Sequence, residues 1–292
     1  GPSAMDRAVV LAKGSGLQEI AARLAGSGVI ARPLVFRIGV RLGRWSRGLR
    51  AGEFRIPART SMRDVVAILR KGETIVRRVT VPEGLSSTRI VALLVQTEGL
   101  QGTIPQIPGD GMLLPETYHF SYGDARTVML DRMTTAMEKT VDKLWSSRQA
   151  GLPLASPGEA VILASIVEKE TSLREERARV AGVFINRLRL GMRLQSDPTV
   201  AYGLSEGDGP LGRSLTRADL KVNNPYNTYL IKGLPPGPIC NPGLAAIKAV
   251  LNPTATDDLY FVADGNGGHV FAKTLKEHNR NAAKWRKIRD GG

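Results

Sequence analysis

One carboxylic acid at the end of an apolar helix is the feature of this sequence best placed to do chemistry. Ser156, Pro157 and Glu159 read as a helix start: Ser156 as N-cap, Pro157 at the first helical position, and Glu159 completing an S-x-x-E capping box. Residues 160–167 are apolar or small throughout, as expected of a helix buried on every side. Glu168 follows, on the same helical face as Val161, Ala164 and Ser165. A carboxylate there is costly unless it is paired, hydrogen-bonded or protonated. Burial raises a glutamate pKa, and a glutamic acid that keeps its proton near neutral pH is what a general acid requires. A plainer reading also fits, in which Glu168 is the solvated, frayed end of a core helix beside Lys169.

Three polar stretches follow that helix: residues 193–204, 223–229 and 233–243. Each is read as irregular, and together they are rich in Asn, Gln, Thr and Tyr and stiffened by prolines. Sugars offer many hydroxyls that need fixed partners and flat faces that suit aromatic rings, so this composition fits a carbohydrate cleft. Turn chemistry alone also favours Asn, Pro and Gly. It is the three loops after a buried glutamate that tilt the reading toward a cleft.

Other chemistries fit less well. Gly203-Leu204-Ser205-Glu206-Gly207 matches the G-x-S-x-G elbow of hydrolases, which needs a strand before it and a helix after it; Asp208-Gly209-Pro210 follows instead. His119, His269, His278 and Cys240 lack zinc-ligand spacing. Gly265-Asn266-Gly267-Gly268 lies between strand-like segments and reads as a hairpin turn rather than a phosphate cradle. No Walker or dinucleotide fingerprint occurs, so neither cofactor nor metal is expected.

The elements that position these groups read as a mixed α+β chain. Residues 8–13 are strand-like, residues 17–25 and 33–42 helical, Ser61 and Asp64 cap a helix over 61–71 that Gly72 ends, and residues 75–81 alternate like a strand. Ser86 or Ser87 starts a helix to about residue 98, and Asp124 is expected to cap a long helix to residue 149. Ser172 with Glu175 reads as a second capping box, opening a helix striped by Val180, Val183, Phe184 and Leu188 that Gly191 ends. Residues 273–287 close the chain as a helix.

The 292 residues carry a net charge of +14 and a single cysteine, Cys240. Such a field attracts polyanions, whether nucleic acid, anionic lipid or an acidic wall polymer. Arg32, Arg37, Arg41, Arg44, Arg47 and Arg50 form the densest basic patch, but no aromatics interleave with them, so nucleic acid is not the expected partner. No apolar run is long enough to span a bilayer, and residues 1–5 read as a tag remnant.

Several motifs together resemble one family. Ile166-Val167-Glu168-Lys169-Glu170-Thr171, Val183-Phe184-Ile185-Asn186-Arg187-Leu188 and Leu194-Gln195-Ser196-Asp197-Pro198-Thr199-Val200-Ala201-Tyr202-Gly203 are similar to the endolytic murein transglycosylases (MltG, YceG-like). So are Pro225-Tyr226-Asn227-Thr228-Tyr229, Gly233-Leu234-Pro235-Pro236-Gly237-Pro238-Ile239, Asn241-Pro242-Gly243, Glu277-His278-Asn279 and, upstream, Leu114-Pro115-Glu116-Thr117-Tyr118. Cys240 departs from the pattern without touching the expected chemistry.

The resemblance implies a LysM-like module over residues 6–80 and a YceG-like catalytic domain over 81–292, with a lysozyme-like, helix-borne glutamate. It implies non-hydrolytic cleavage of β-1,4 bonds between N-acetylmuramic acid and N-acetylglucosamine, leaving 1,6-anhydromuramic ends. The catalytic acid carries over to Glu168, and Gln195, Ser196, Asp197, Tyr202, Tyr226, Asn227 and Asn241 are the candidates for binding sugar. An N-terminal inner-membrane anchor, a periplasmic catalytic domain, glycan strands as substrate and wall synthases as partners are further expectations from the resemblance. Glu170 lies about 200° around the helix from Glu168 and is expected to be structural. Two alternatives stay open: a water-using muramidase with Asp197 or Glu170 as second carboxylate, and a non-catalytic glycan-binding scaffold.

Overall fold

The structure, a computed structural model, describes residues 1–205, 207 and 211–291. The contacts divide the chain into two units, one of residues 1–79, 94–103 and 117–129, the other of residues 80–93, 104–116 and 130 onward.

In the first unit, β1 (Arg7–Leu11) and β2 (Gly52–Ile56) pair antiparallel with Val9 opposite Phe54, and α1 (Leu17–Gly26) and α2 (Pro33–Leu42) lie between them in sequence. Strand alternation turns Val9, Leu11, Phe54 and Ile56 inward, where Leu24 of α1 and Phe36 and Val40 of α2 meet them. The Ser61 hydroxyl accepts the Asp64 N–H to start α3 (Met62–Lys71), and Gly72 stops it in the left-handed conformation. Val65 and Leu69 of α3 complete this core. Arg32, Arg41, Arg44, Arg47 and Arg50 are exposed. β3 (Val76–Thr80) pairs with β4 (Thr117–Ser121). α4 (Ser87–Gln96) runs between these strands in sequence, and α5 (Arg126–Ser146) follows them.

The second unit is built on α6 (Pro157–Glu170), α7 (Arg174–Arg189), α8 (Asp197–Ser205) and α9 (Leu244–Leu251). The Ser156 hydroxyl accepts the Glu159 N–H at 3.2 Å, and the Glu159 carboxylate accepts the Ala155 N–H at 2.6 Å, so the two side chains close the start of α6. Ala160, Leu163, Ala164, Ile166 and Val167 of α6 are fully buried against Val180, Ala181 and Phe184 of α7 and Ala246, Ile247 and Val250 of α9. Small residues on all three helices let them approach closely, which is what an all-round apolar helix needs. β5 (Tyr260–Ala263) and β6 (His269–Ala272) form an antiparallel hairpin across the turn at residues 264–268, and α10 (Leu275–Gly291) closes the chain. Phe261 of β5 meets Phe184 of α7 edge-on, centroids 5.8 Å apart. Among the described residues no helix is long and apolar enough to cross a membrane.

Three local expectations are corrected. Asp124 does not cap α5; its carboxylate accepts the Ser121 N–H at 2.7 Å and closes the turn after β4. Ser172 and Glu175 form no capping box; α7 starts after Leu173, whose N–H is taken by the Thr171 hydroxyl at 3.1 Å. Residues 197–205 are not irregular but helical. Asp197 and Pro198 open α8, and Thr199 and Val200 are buried on its inner side, so residue types that would suit a loop here start a helix.

Candidate active site

Glu168 stands at the last turn of α6 with its side chain only 5% exposed. Its Oε1 accepts from Arg177 Nη2 of α7 at 2.9 Å, and its Oε2 accepts the Gly243 N–H at the start of α9, also at 2.9 Å. The other terminal nitrogen of Arg177, Nη1, donates to Glu83 Oε2 at 3.2 Å. One guanidinium therefore bridges two carboxylates that are far apart in sequence. Burial holds the Glu168 carboxyl above its ordinary pKa; the Gly243 N–H, Arg177 and Lys169 pull it down, and the Glu83 charge pushes it up. A Cβ at Gly243 would overlap the Glu83 carboxylate, so a side chain there would displace Glu83 from its present place. Lys169 Nζ reaches the Gly84 carbonyl at 3.3 Å and so ties α6 to the loop that carries Glu83.

A cavity of 310 Å³ opens beside this cluster, lined in part by Gly84, Arg89, Lys169, Tyr202 and Ile239. A larger hollow of 530 Å³ in the same unit lies along α7, where Arg179 and Lys273 are already paired with Asp258 and Asp257. Only the smaller cavity shares residues with the surroundings of Glu168.

The residues proposed for sugar binding fall into three groups. Gln195 and Asp197 are exposed, Gln195 in the left-handed conformation at φ 50° and Asp197 accepting the Tyr229 hydroxyl at 2.6 Å. Tyr202 and Tyr226 are half-buried with ring centroids 4.8 Å apart, and the Tyr202 hydroxyl donates to Asp110 at 2.9 Å. Ser196, Asn227 and Asn241 lie inside the protein. The Ser196 hydroxyl donates to Glu170, the Asn227 amide donates to the Leu220 and Val222 carbonyls, and the Asn241 side chain joins Leu85, Ser87 and Leu113. The structure thus brings Tyr202 to the cavity that Gly84 and Lys169 line, with Tyr226 against it, and spends the polar atoms of the buried three within the fold.

Glu170 points away from Glu168's partners. Its Oε1 accepts the Ser196 hydroxyl at 2.5 Å. Burial pushes its carboxyl up to about 7, the Ser196 hydrogen bond opposing and the Asp197 charge adding to the rise. The folded state thus binds this proton more tightly than the unfolded chain, and stability falls as pH climbs from about 4.5 to about 7. Glu170→Gln keeps the acceptor and removes the titration. Its unfolding free energy in a urea titration is expected to match wild type at pH 4 and to exceed it at pH 8, by up to a few kcal/mol at roughly 1.4 per pKa unit. An equal difference at both pH values would refute the assignment.

Other motifs take structural places. Glu277 accepts the N–H groups of Lys273 and Thr274 while Thr274 Oγ1 accepts the Glu277 N–H, a capping box for α10. His278 stacks on Tyr260 and His269 pairs with Glu176 at 2.7 Å. Cys240 is buried, its thiol donating to the Ser165 carbonyl, and burial pushes its pKa up. Ser205 ends a helix rather than following a strand, while the Asp208-Gly209-Pro210 segment lies outside the described residues. Among the described residues, no group of His, Cys, Asp and Glu could hold a metal ion.

The sequence assigns no site role to Glu83, Arg177, Gly243 or Asp110. Arg177 alone carried a signal: it precedes Val180 and Phe184 by three and seven positions and so sits on the buried stripe of its helix.

The YceG-like family model matches residues 9–284. An endolytic murein transglycosylase of Streptococcus pneumoniae serotype 2 (strain D39) is 29% identical over 324 residues, covering 94% of this chain and 58% of that protein. One from Bacillus subtilis (strain 168) is 38% identical over 180 residues, covering 61% of this chain and 48% of that protein. The chain spans about half the length of these curated relatives. A crystal structure of a YceG-like protein from Listeria monocytogenes superposes with a TM-score of 0.58 at 29% identity, covering 94% of this chain and 98% of that one.

Proposed function

The chain belongs to the YceG-like family, and on that premise we propose that it is an endolytic lytic transglycosylase of peptidoglycan with Glu168 as its acid and base. The observation that carries this reading is a carboxyl group 5% exposed, anchored at the end of a buried helix whose next residue, Lys169, lines a cavity. Burial favours the protonated form before reaction; Arg177 and the Gly243 N–H are in place to receive the carboxylate afterwards.

Glu168 gives its proton to the oxygen that joins muramyl C1 to the next N-acetylglucosamine, and the C1–O bond breaks. The muramyl C6 hydroxyl oxygen attacks C1 within the same sugar, and its proton passes to Glu168. The acid is regenerated and no water is consumed. Holding C6–OH and C1 in one ring supplies much of the rate. Glycosidases that use water need a second carboxylate. Asp197 and Glu170 are engaged with Tyr229 and Ser196, which favours the one-carboxylate route. Tyr202 and Tyr226 are assigned to the sugar faces, and Gln195 and Asp197 to hydroxyls and N-acetyl groups. Ser196, Asn227 and Asn241 are assigned to the walls.

Residues 6–80 are read as a LysM-like glycan-binding module and residues 81–292 as the catalytic domain. Membrane anchorage, a periplasmic site of action and partnership with wall synthases belong to the same proposal. Mass spectrometry of digested peptidoglycan tests it: the expected ends are 1,6-anhydromuramic, one water lighter than hydrolysed ends. Hydrolysed ends would point to a muramidase, and uncut strands to a scaffold.

A further inference from the structure

We infer that Glu83 is a positioning residue of this active site, which by holding one arm of the Arg177 guanidinium keeps Glu168 able to carry a proton. The inference rests on the reading of Glu168 as general acid, and it adds a second ionisable partner that the reaction itself does not use.

The geometry is unusual for an arginine. Guanidinium groups hold carboxylates most firmly through two parallel hydrogen bonds. Arg177 gives one bond to each of two carboxylates: Nη1 to Glu83 and Nη2 to Glu168. Its Nε is buried and has no partner among the described residues. The Arg177 side chain is 7% exposed, that of Glu168 5% and that of Glu83 35%. One positive charge thus faces two carboxylates, and a single proton makes the trio neutral. That proton belongs on the drier carboxyl, Glu168, because the charged form is costlier there. Gly243 serves the same convergence: its N–H meets Glu168, and its missing side chain leaves room for Glu83.

The groups that act on Glu168 among the described residues fit this division. Arg177 and the Gly243 N–H favour the carboxylate, and Lys169 adds to them from the same helix; Glu83 alone among the named neighbours favours the acid. During the reaction Arg177 stays with Glu83 while Glu168 is protonated. It shares its charge with both once the proton has moved to the glycosidic oxygen. The proton taken from the C6 hydroxyl then restores the first state, and the proton count balances.

The test is Glu83→Gln in the full chain. Glu83 is partly exposed, so the variant is expected to fold, and Glu83→Asp serves as the charge-retaining control. The Glu168 carboxyl is followed by carbon-13 NMR titration, and kcat/KM for release of anhydro ends is measured against pH. In Glu83→Gln the Glu168 midpoint and the alkaline limb of kcat/KM are both expected to move to lower pH. Activity at pH 8 is expected to fall about tenfold and at pH 5 to stay within about twofold, one pKa unit being a factor of ten. Glu83→Asp is expected to move both back toward wild type. A midpoint that stays put or rises overturns the inference. A lowered midpoint in a protein that leaves glycan uncut keeps the pairing and overturns the function instead.

Discussion

Glu168→Gln is expected to abolish cleavage of glycan strands while leaving the fold intact. The size of the effect follows from the double duty proposed for one carboxyl. General acid and general base assistance are each worth about 10²–10⁴-fold, so losing both through one substitution should lower kcat by at least about 10³-fold. The fold should survive because glutamine keeps the volume and one acceptor oxygen. Arg177 also keeps its ion pair with Glu83, so no buried cation is left without a partner. One amide hydrogen pair will face either Arg177 or the Gly243 N–H, a donor against a donor, at a cost of about 1–3 kcal/mol. Turnover of purified peptidoglycan and a urea titration of the same preparation check both parts. A variant that still cuts within tenfold of wild type would place the acid elsewhere.

How much of this was legible beforehand depended on how local each signal was. The start of α6 could be read because Ser156, Pro157 and Glu159 lie within four residues and act on one another's backbone. Its burial could be read because residues 160–167 leave no polar face. Arg177 was readable in principle, since an arginine in register with Val180 and Phe184 has to find an anion inside. Glu83 was not. Pro82-Glu83-Gly84 looks like any turn, and the partner that gives it meaning is 94 positions away. α8 was missed because Asp197 and Pro198 suit a helix start and a loop equally well, and only the burial of Thr199 and Val200 decides between them. Ser196, Asn227 and Asn241 show the same limit. Amides and hydroxyls that suit a sugar also suit backbone groups inside a protein, and residue type cannot say which they meet.

Asn241→Leu is expected to be the most damaging substitution for stability near the site. The Asn241 side chain is fully buried. Its Oδ1 accepts the Leu113 N–H at 2.9 Å, and its Nδ2 donates to the Leu85 carbonyl at 3.0 Å and to Ser87 Oγ at 3.1 Å. The backbone adds two more links, Asn241 N–H to the Leu85 carbonyl and Gly84 N–H to the Asn241 carbonyl. Leucine keeps the branched heavy-atom skeleton, with bulkier methyls, but leaves the Leu113 N–H buried and unpaired and removes two further bonds. The expected loss is about 3–5 kcal/mol, since an orphaned buried group costs more than a made bond contributes. The consequence for activity follows from what the amide joins. It fastens the loop carrying Glu83 and Gly84 to the segment that leads into Gly243, the two sides from which Glu168's surroundings are assembled. Where the variant is still folded, kcat should fall while KM changes little. A direct role in holding sugar predicts the opposite pair of results, a raised KM with an unchanged urea midpoint, so the two measurements together decide whether this amide serves the substrate or the frame around the acid.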